Sequence, residues 1–256
     1  MTLPEYDVEA AYGHFKSKPR EKTAKVRSLN TRWVIRIAAS VLLIVAAVFL
    51  LRNQTETIEA ALKTNQTFAF SDGSNLILND GSSIRFDEKN WAENRVVELT
   101  GEAFFEVEPG GSFLVKTKNG TVEVLGTKFN VRAWGNKFYV ECYEGKVRVN
   151  SGGRITELTQ NQSVIISNEE ITEAEITHQK PLWSTGSSRF YNENINEVFG
   201  ELERQFDVKV NAPKMNRVFE GIFTHGNLET ALREICRPLK LEFTISEDGK
   251  SVSVSQ

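Results

Sequence analysis

The feature that most limits what this chain can be is the apolar run at residues 33–51, WVIRIAASVLLIVAAVFLL. As a helix rising 1.5 Å per residue, a run of about 19 residues reaches close to the roughly 30 Å of a bilayer's hydrocarbon core. The run is apolar all round, so it lacks the polar face of a helix packed on a soluble domain. Trp33 stands at its start, where an indole suits the membrane interface, and Arg36 has a stem long enough to snorkel outward. Residues 13–32 carry Lys16, Lys18, Arg20, Lys22, Lys25, Arg27 and Arg32 against one acid, Glu21. That asymmetry predicts a cytoplasmic N-terminus. A cleaved signal peptide fits poorly, because the charged region is too long and no small-x-small site follows Leu51. The expectation is a single-pass membrane protein with a short inner arm and a large outer part.

The chain then divides by pattern. Residues 1–32 are expected as a short cytoplasmic segment, with Val8, Ala11, Tyr12 and Phe15 at helical spacing after a capping Asp7. Residues 33–52 are the expected transmembrane helix and 53–66 a polar stalk. From 67 to 177 the pattern is β. Turn pairs such as Asp72-Gly73, Asn119-Gly120 and Glu144-Gly145 separate short alternating runs, among them Leu76/Leu78, Ile84/Phe86, Val122/Val124 and Val147/Val149. Many short strands imply a sandwich, barrel or solenoid, and periodicity does not choose among them.

Residues 178–256 form the expected C-terminal domain, and they contain an internal repeat. At an offset of 33 residues Phe190 aligns with Phe223, Asn194 with Asn227, Ile195 with Leu228, Val198 with Ala231, Leu202 with Ile235 and Val210 with Phe243. Each copy reads strand, Asn cap, apolar helical stripe and strand. The prediction is a small α+β domain of two β-α-β repeats.

A net charge of -3 gives no general attraction to nucleic acid. Cys142 and Cys236 lie in different segments and read as small buried hydrophobes rather than a disulfide framework. His14, His178 and His225 have no ligand spacing, so neither a metal nor a cofactor is expected. No nucleophile-base-acid set or phosphate loop stands out, which favours a non-enzyme.

Several stretches resemble the FecR family of membrane sensors and anti-sigma regulators: DGSNLILNDGSSIRF (72–86), VVELTGEAFFEVE (96–108), FLVKT (113–117), VEVLGTKFNVRAW (122–134) and YEGKVRV (143–149). The tail is similar to the C-terminal domain of Bacteroidetes members, which is STN-like. The resemblance implies a β-solenoid-like middle domain and a place in the bacterial inner membrane, N-terminus cytoplasmic and C-terminal region periplasmic. It implies two partners: an extracytoplasmic-function (ECF) sigma factor in the cytoplasm, and the periplasmic signalling domain of a TonB-dependent outer-membrane transporter, docked on the C-terminal domain. Family members usually carry about 80 cytoplasmic residues, a small helical domain that grips the sigma factor; here 32 precede the apolar run.

The expected function is therefore a transmembrane signal transducer regulating a sigma factor. The alternative is a membrane-anchored periplasmic scaffold with no sigma factor involved. The resemblance also singles out Gly126-Thr127, since in some members this bond resembles a self-cleavage site. There a Thr hydroxyl attacks the preceding carbonyl. The structural reading is a Gly at a strand bend followed by a β-favouring Thr. Phe104 and Phe105 read as neighbours on opposite faces of one strand, one in the core and one against an adjacent layer.

Overall fold

A computed structural model describes residues 31–52, 56–59, 65–167 and 170–256. The expected helix near residues 7–15, the basic linker, and stalk positions 53–55 and 60–64 lie outside the described residues. The chain divides into two compact units, residues 1–52 and 53–256.

In the first unit, α1 (Thr31–Arg52) contains the apolar run, with Trp33, Ile35, Leu42 and Leu43 exposed. The single-pass expectation is corrected here. Among the described residues, no helix is long and apolar enough to cross a membrane. Arg36 places a charge within the described part of the run.

The second unit begins with an all-β region. Its strands are β1 (Glu56–Glu59), β2 (Gln66–Ala69), β3 (Asn75–Leu78), β4 (Ser83–Phe86), β5 (Arg95–Val107), β6 (Phe113–Lys116) and β7 (Thr121–Val124). There follow β8 (Thr127–Ala133), β9 (Lys137–Glu144), β10 (Lys146–Ser151), β11 (Arg154–Thr159), β12 (Gln162–Ser167) and β13 (Glu170–Glu175). The main path of the sheet is β11-β10-β7-β6-β5-β8-β9-β12-β13, with β4 carrying β1 and β3 carrying β2 on opposite halves of β5.

β5 is the strand on which both arms are built. Its first half runs parallel to β6 and antiparallel to β4, and its second half pairs antiparallel with β3 and β8. At the changeover Gly101 has φ +106°, and a Cβ there would lie 2.4 Å from Ser82 Oγ. Only glycine adopts that backbone in that space without strain.

The solenoid-like or sandwich expectation is also corrected: the thirteen strands form one sheet that curls into a half-barrel. Because β5 belongs to both arms, the sheet is continuous rather than two separate layers. Curling brings Val147, Val149 and Leu158 of one arm onto Phe129, Val140 and Val164 of the other in a single core. Alternation revealed which residues face inward, but not which strands pair. Aromatic stacking closes the core, with Phe70 on Trp91 at 4.1 Å and Phe105 on Phe129 at 5.0 Å between ring centroids.

The C-terminal domain follows a 3-10 turn (Leu182–Thr185). Its order is β14 (Ser187–Asn194), α2 (Ile195–Phe206), β15 (Lys209–Asn211), β16 (Val218–Thr224), α3 (Leu228–Cys236), β17 (Glu242–Ile245) and β18 (Ser251–Ser255). The aligned residues Asn194 and Asn227 cap the two helices, accepting from the Asn196 and Thr230 backbone N–H groups. Each copy keeps the expected strand-helix-strand order, but its two strands do not pair with one another. β14 pairs antiparallel with β16, while β15 and β17 both pair with β18. The two copies interlock, because one amphipathic helix on two short strands cannot bury its own stripe. Val198 and Leu202 of α2 instead share one core with Leu232 and Ile235 of α3.

Candidate functional site

The burial of β5 points to the site. Its first half alternates, with Val97 and Leu99 buried and Glu98 and Thr100 exposed, but residues 101–105 are buried without a break. A strand buried on both faces has a cover on each. Phe105 faces the sheet's core, whereas Phe104 belongs to a second cluster with Tyr143, Ile176 and Trp183. The cover on that second face is the connecting segment, through Ile176 and Trp183, together with the C-terminal domain, through Glu201 and Gln205 at Asn79.

The joint between the two domains is polar and enclosed. Glu102, Glu141 and Glu201 are all buried, and so are Asn79 and Asn130. Asn130 Nδ2 donates to Glu102 Oε1 at 2.9 Å and to Glu141 Oε2 at 3.3 Å. Asn79 Nδ2 donates to Glu102 Oε2 at 3.0 Å and to Glu201 Oε1, across the joint, at 3.4 Å. Gln205 of α2 returns the contact, donating to Asn79 Oδ1 at 2.9 Å. Trp183 Nε1 donates to Asn130 Oδ1 at 3.1 Å. Glu141 accepts from the Tyr139 and Tyr143 hydroxyls at 2.8 and 2.7 Å, and His178 Nε2 lies 3.1 Å from its Oε1. Each buried carboxylate thus has several donors, as burial of charge requires.

The cations are exchanged between domains. Arg132 of β8 stands over the Phe190 ring of β14 at 4.8 Å, and Arg204 of α2 stands over the Trp134 ring at 4.2 Å. Each domain therefore contributes one guanidinium and one aromatic face. Arg204 also pairs with Glu201 at 2.7 Å. Burial would raise the Glu201 carboxyl, but the Arg204 and Arg132 charges outweigh it and hold the group well below the usual range. Burial would likewise weaken the charge on Arg132, and Glu102 and Glu201 more than offset that. At the rim, Lys137 Nζ donates to the Asn192 carbonyl at 2.8 Å and pairs with Glu193 at 3.2 Å.

Gly126 and Thr127 lie elsewhere, at the start of β8 beside a surface groove of about 440 Å³. The Thr127 hydroxyl donates to the Lys146 carbonyl at 3.0 Å, and Gly126 fits against Pro109, 2.9 Å from where a Cβ would stand. Sequence reasoning did not single out the joint. One signal was available: Glu102 has the same parity as Phe104, so a charged residue and a large aromatic share the non-core face of β5. Among the described residues, no group of His, Cys, Asp and Glu side chains is arranged to hold a metal ion.

The chain thus pairs a curled β body with an α+β domain clamped to one face. Two family profiles match it: FecR protein over residues 56–148, and FecR, C-terminal over residues 188–254. Together they span more than half of the sequence, and the chain belongs to the FecR family. Among solved structures it resembles a crystal structure of a proposed anti-sigma factor from Parabacteroides distasonis, with a TM-score of 0.72 and 26% identity, covering 79% of this chain and 99% of that one. A second such structure from the same organism gives a TM-score of 0.71 at 26% identity, covering 78% and 99%. Among curated proteins, none matches the chain.

Proposed function

We propose that this protein regulates an ECF sigma factor according to the state of a TonB-dependent outer-membrane transporter, whose signalling domain docks on residues 187–255. Membership of the FecR family and likeness to proposed anti-sigma factors support sigma-factor regulation in general. The observation that carries the transporter reading is the C-terminal domain's open strand. Among the described residues β16 pairs only with β14, and it exposes Val218 and Ile222. An incoming strand would add hydrogen bonds along that edge and cover those side chains. The proposed workplace is the inner membrane, with residues 65–256 on the periplasmic side. Thr127 is read as structural, its hydroxyl tying β8 to the start of β10, and no enzymatic activity is assigned.

The test is binding of purified transporter signalling domain, and separately of the sigma factor, to the full chain. Val218→Asp with Ile222→Asp should weaken the signalling-domain complex at least about tenfold, since two buried contacts become desolvated charges. The reading fails if neither partner binds the parent, which would leave the scaffold alternative. A single full-length band for both the parent and Thr127→Val is expected on a denaturing gel; partial cleavage of the parent alone would overturn the structural role of Thr127.

A further inference from the structure

The joint has an uneven charge count. Three buried carboxylates, Glu102, Glu141 and Glu201, meet two guanidiniums, Arg132 and Arg204. An enclosed, low-dielectric site disfavours an uncompensated charge, and taking up a proton is the usual relief. Glu102 is the carboxylate best placed to take it. Its cross-strand neighbour is Arg132, but no ion pair of contact length joins them among the described residues, and its oxygens accept from the neutral amides of Asn79 and Asn130. By contrast Glu201 has Arg204 in direct contact, and Glu141 has two phenol donors and His178.

We propose that the joint is a proton-linked latch: seating the C-terminal domain on the β domain takes up one proton from solvent on the Glu102 carboxylate, and loss of that proton loosens the joint. The groups around Glu102 come from every element packed on it. They are Arg132 and Asn130 on β8, Glu141, Tyr139 and Tyr143 on β9, and Asn79 before β4. On the other side stand His178 and Trp183 in the connecting segment, Glu201 and Arg204 on α2, His225 after β16, and two residues of β14: Arg189, exposed at the edge of the same cavity, and Ser188, which bridges His225 and Glu201.

The direction of the effect follows from the environment. Burial is the main influence on Glu102; Arg132 and the Asn130 and Asn79 amides oppose it, Glu201 adds to it, and the carboxyl is pushed up to about 7. An exposed Glu102 in the open state returns to the ordinary range. Between the two values the closed state holds more protons than the open one, so the latch is strongest on the acid side. It weakens as pH rises through about 7. The inference concerns the joint alone and does not depend on any partner.

Rare opening can be read by thiol trapping in the full chain carrying Ser188→Cys, since position 188 is buried in the joint and Cys142 and Cys236 are buried elsewhere. Labelling rates are divided at each pH by those of a free thiol. The corrected rate should rise on the order of 50-fold from about pH 5 to about pH 8. Glu102→Gln, which imitates the protonated acid, should abolish that rise, while His178→Gln should keep it. A flat response in the parent, an unchanged response in Glu102→Gln, or a response lost only with His178→Gln would each overturn the proposal. A measurement without the cysteine guards against damage to the joint. Infrared difference spectra of the parent between about pH 6 and about pH 9 should contain a protonated-carboxyl band that Glu102→Gln lacks, and its absence from the parent would also overturn the latch.

Discussion

The two faces of the β5–β8 strand pair carry opposite kinds of packing. On the inner face Phe105 stacks on Phe129 in an apolar core. On the outer face Glu102, three residues before Phe105, and Asn130, next to Phe129, are linked by a hydrogen bond at 2.9 Å in an enclosed polar joint. The backbone is shared, so the difference lies in what each face is pressed against. Apolar packing favours burial without regard to direction. A buried amide–carboxylate network is worth having only when every donor and acceptor is aligned, so it admits one seating of the C-terminal domain and is sensitive to small displacement. The inner face serves the stability of the β domain; the outer face serves the specific and reversible attachment of its neighbour.

That contrast can be broken in a graded way. The largest effect is expected on the inner face. Phe105→Ala should cost about 3–5 kcal/mol, the usual range for emptying an aromatic site in a close-packed core. Chemical denaturation followed by circular dichroism measures it, and a loss under about 1 kcal/mol would mean the core does not rely on this stack. Next comes the outer face. Arg204→Ala leaves the Glu201 carboxylate buried without its contact partner and should cost about 2–3 kcal/mol. The loss should fall on the C-terminal domain and the joint, leaving amide exchange of β6, β7 and β10 unchanged. Equal loss of protection in both domains would show that the two faces are one cooperative unit. The smallest effect tests the two copies of the repeat. Asn194→Ala and Asn227→Ala should each cost about 1 kcal/mol, the typical value of a helix N-cap. Asn194 also accepts from the Asn196 side chain at 2.7 Å, closer than the Thr230 hydroxyl to Asn227 at 3.3 Å, so the first copy should be slightly the more sensitive.

Much of the fold is legible in the chain. Alternating pairs such as Val122/Val124 and Val147/Val149 are buried strand positions, and the 33-residue offset aligns the two capping asparagines. The opposite faces of Phe104 and Phe105 follow from strand parity. The joint was much less legible. Glu102, Asn130, Glu141 and Glu201 look like ordinary surface polar residues, because nothing near them in sequence announces a cover. Arg132 and Arg204 each find their aromatic partner in the other domain.

The amino-acid sequence alone determines local geometry: strand and helix periods, turns, caps, and which side of each element is apolar. It also suffices for family membership, through the GEAFFEV and VLGTKFNV stretches and the tail. Tertiary structure alone decides that one long strand joins both arms of a curled sheet and that the repeat copies interlock. It alone makes Glu102 a buried acid. The reason is that periodicity records the face an element turns away from water, whereas pairing and electrostatics depend on the groups that arrive from distant parts of the chain. For Glu102 those include Asn130 on the next strand of the sheet and Glu201 on a helix of the other domain.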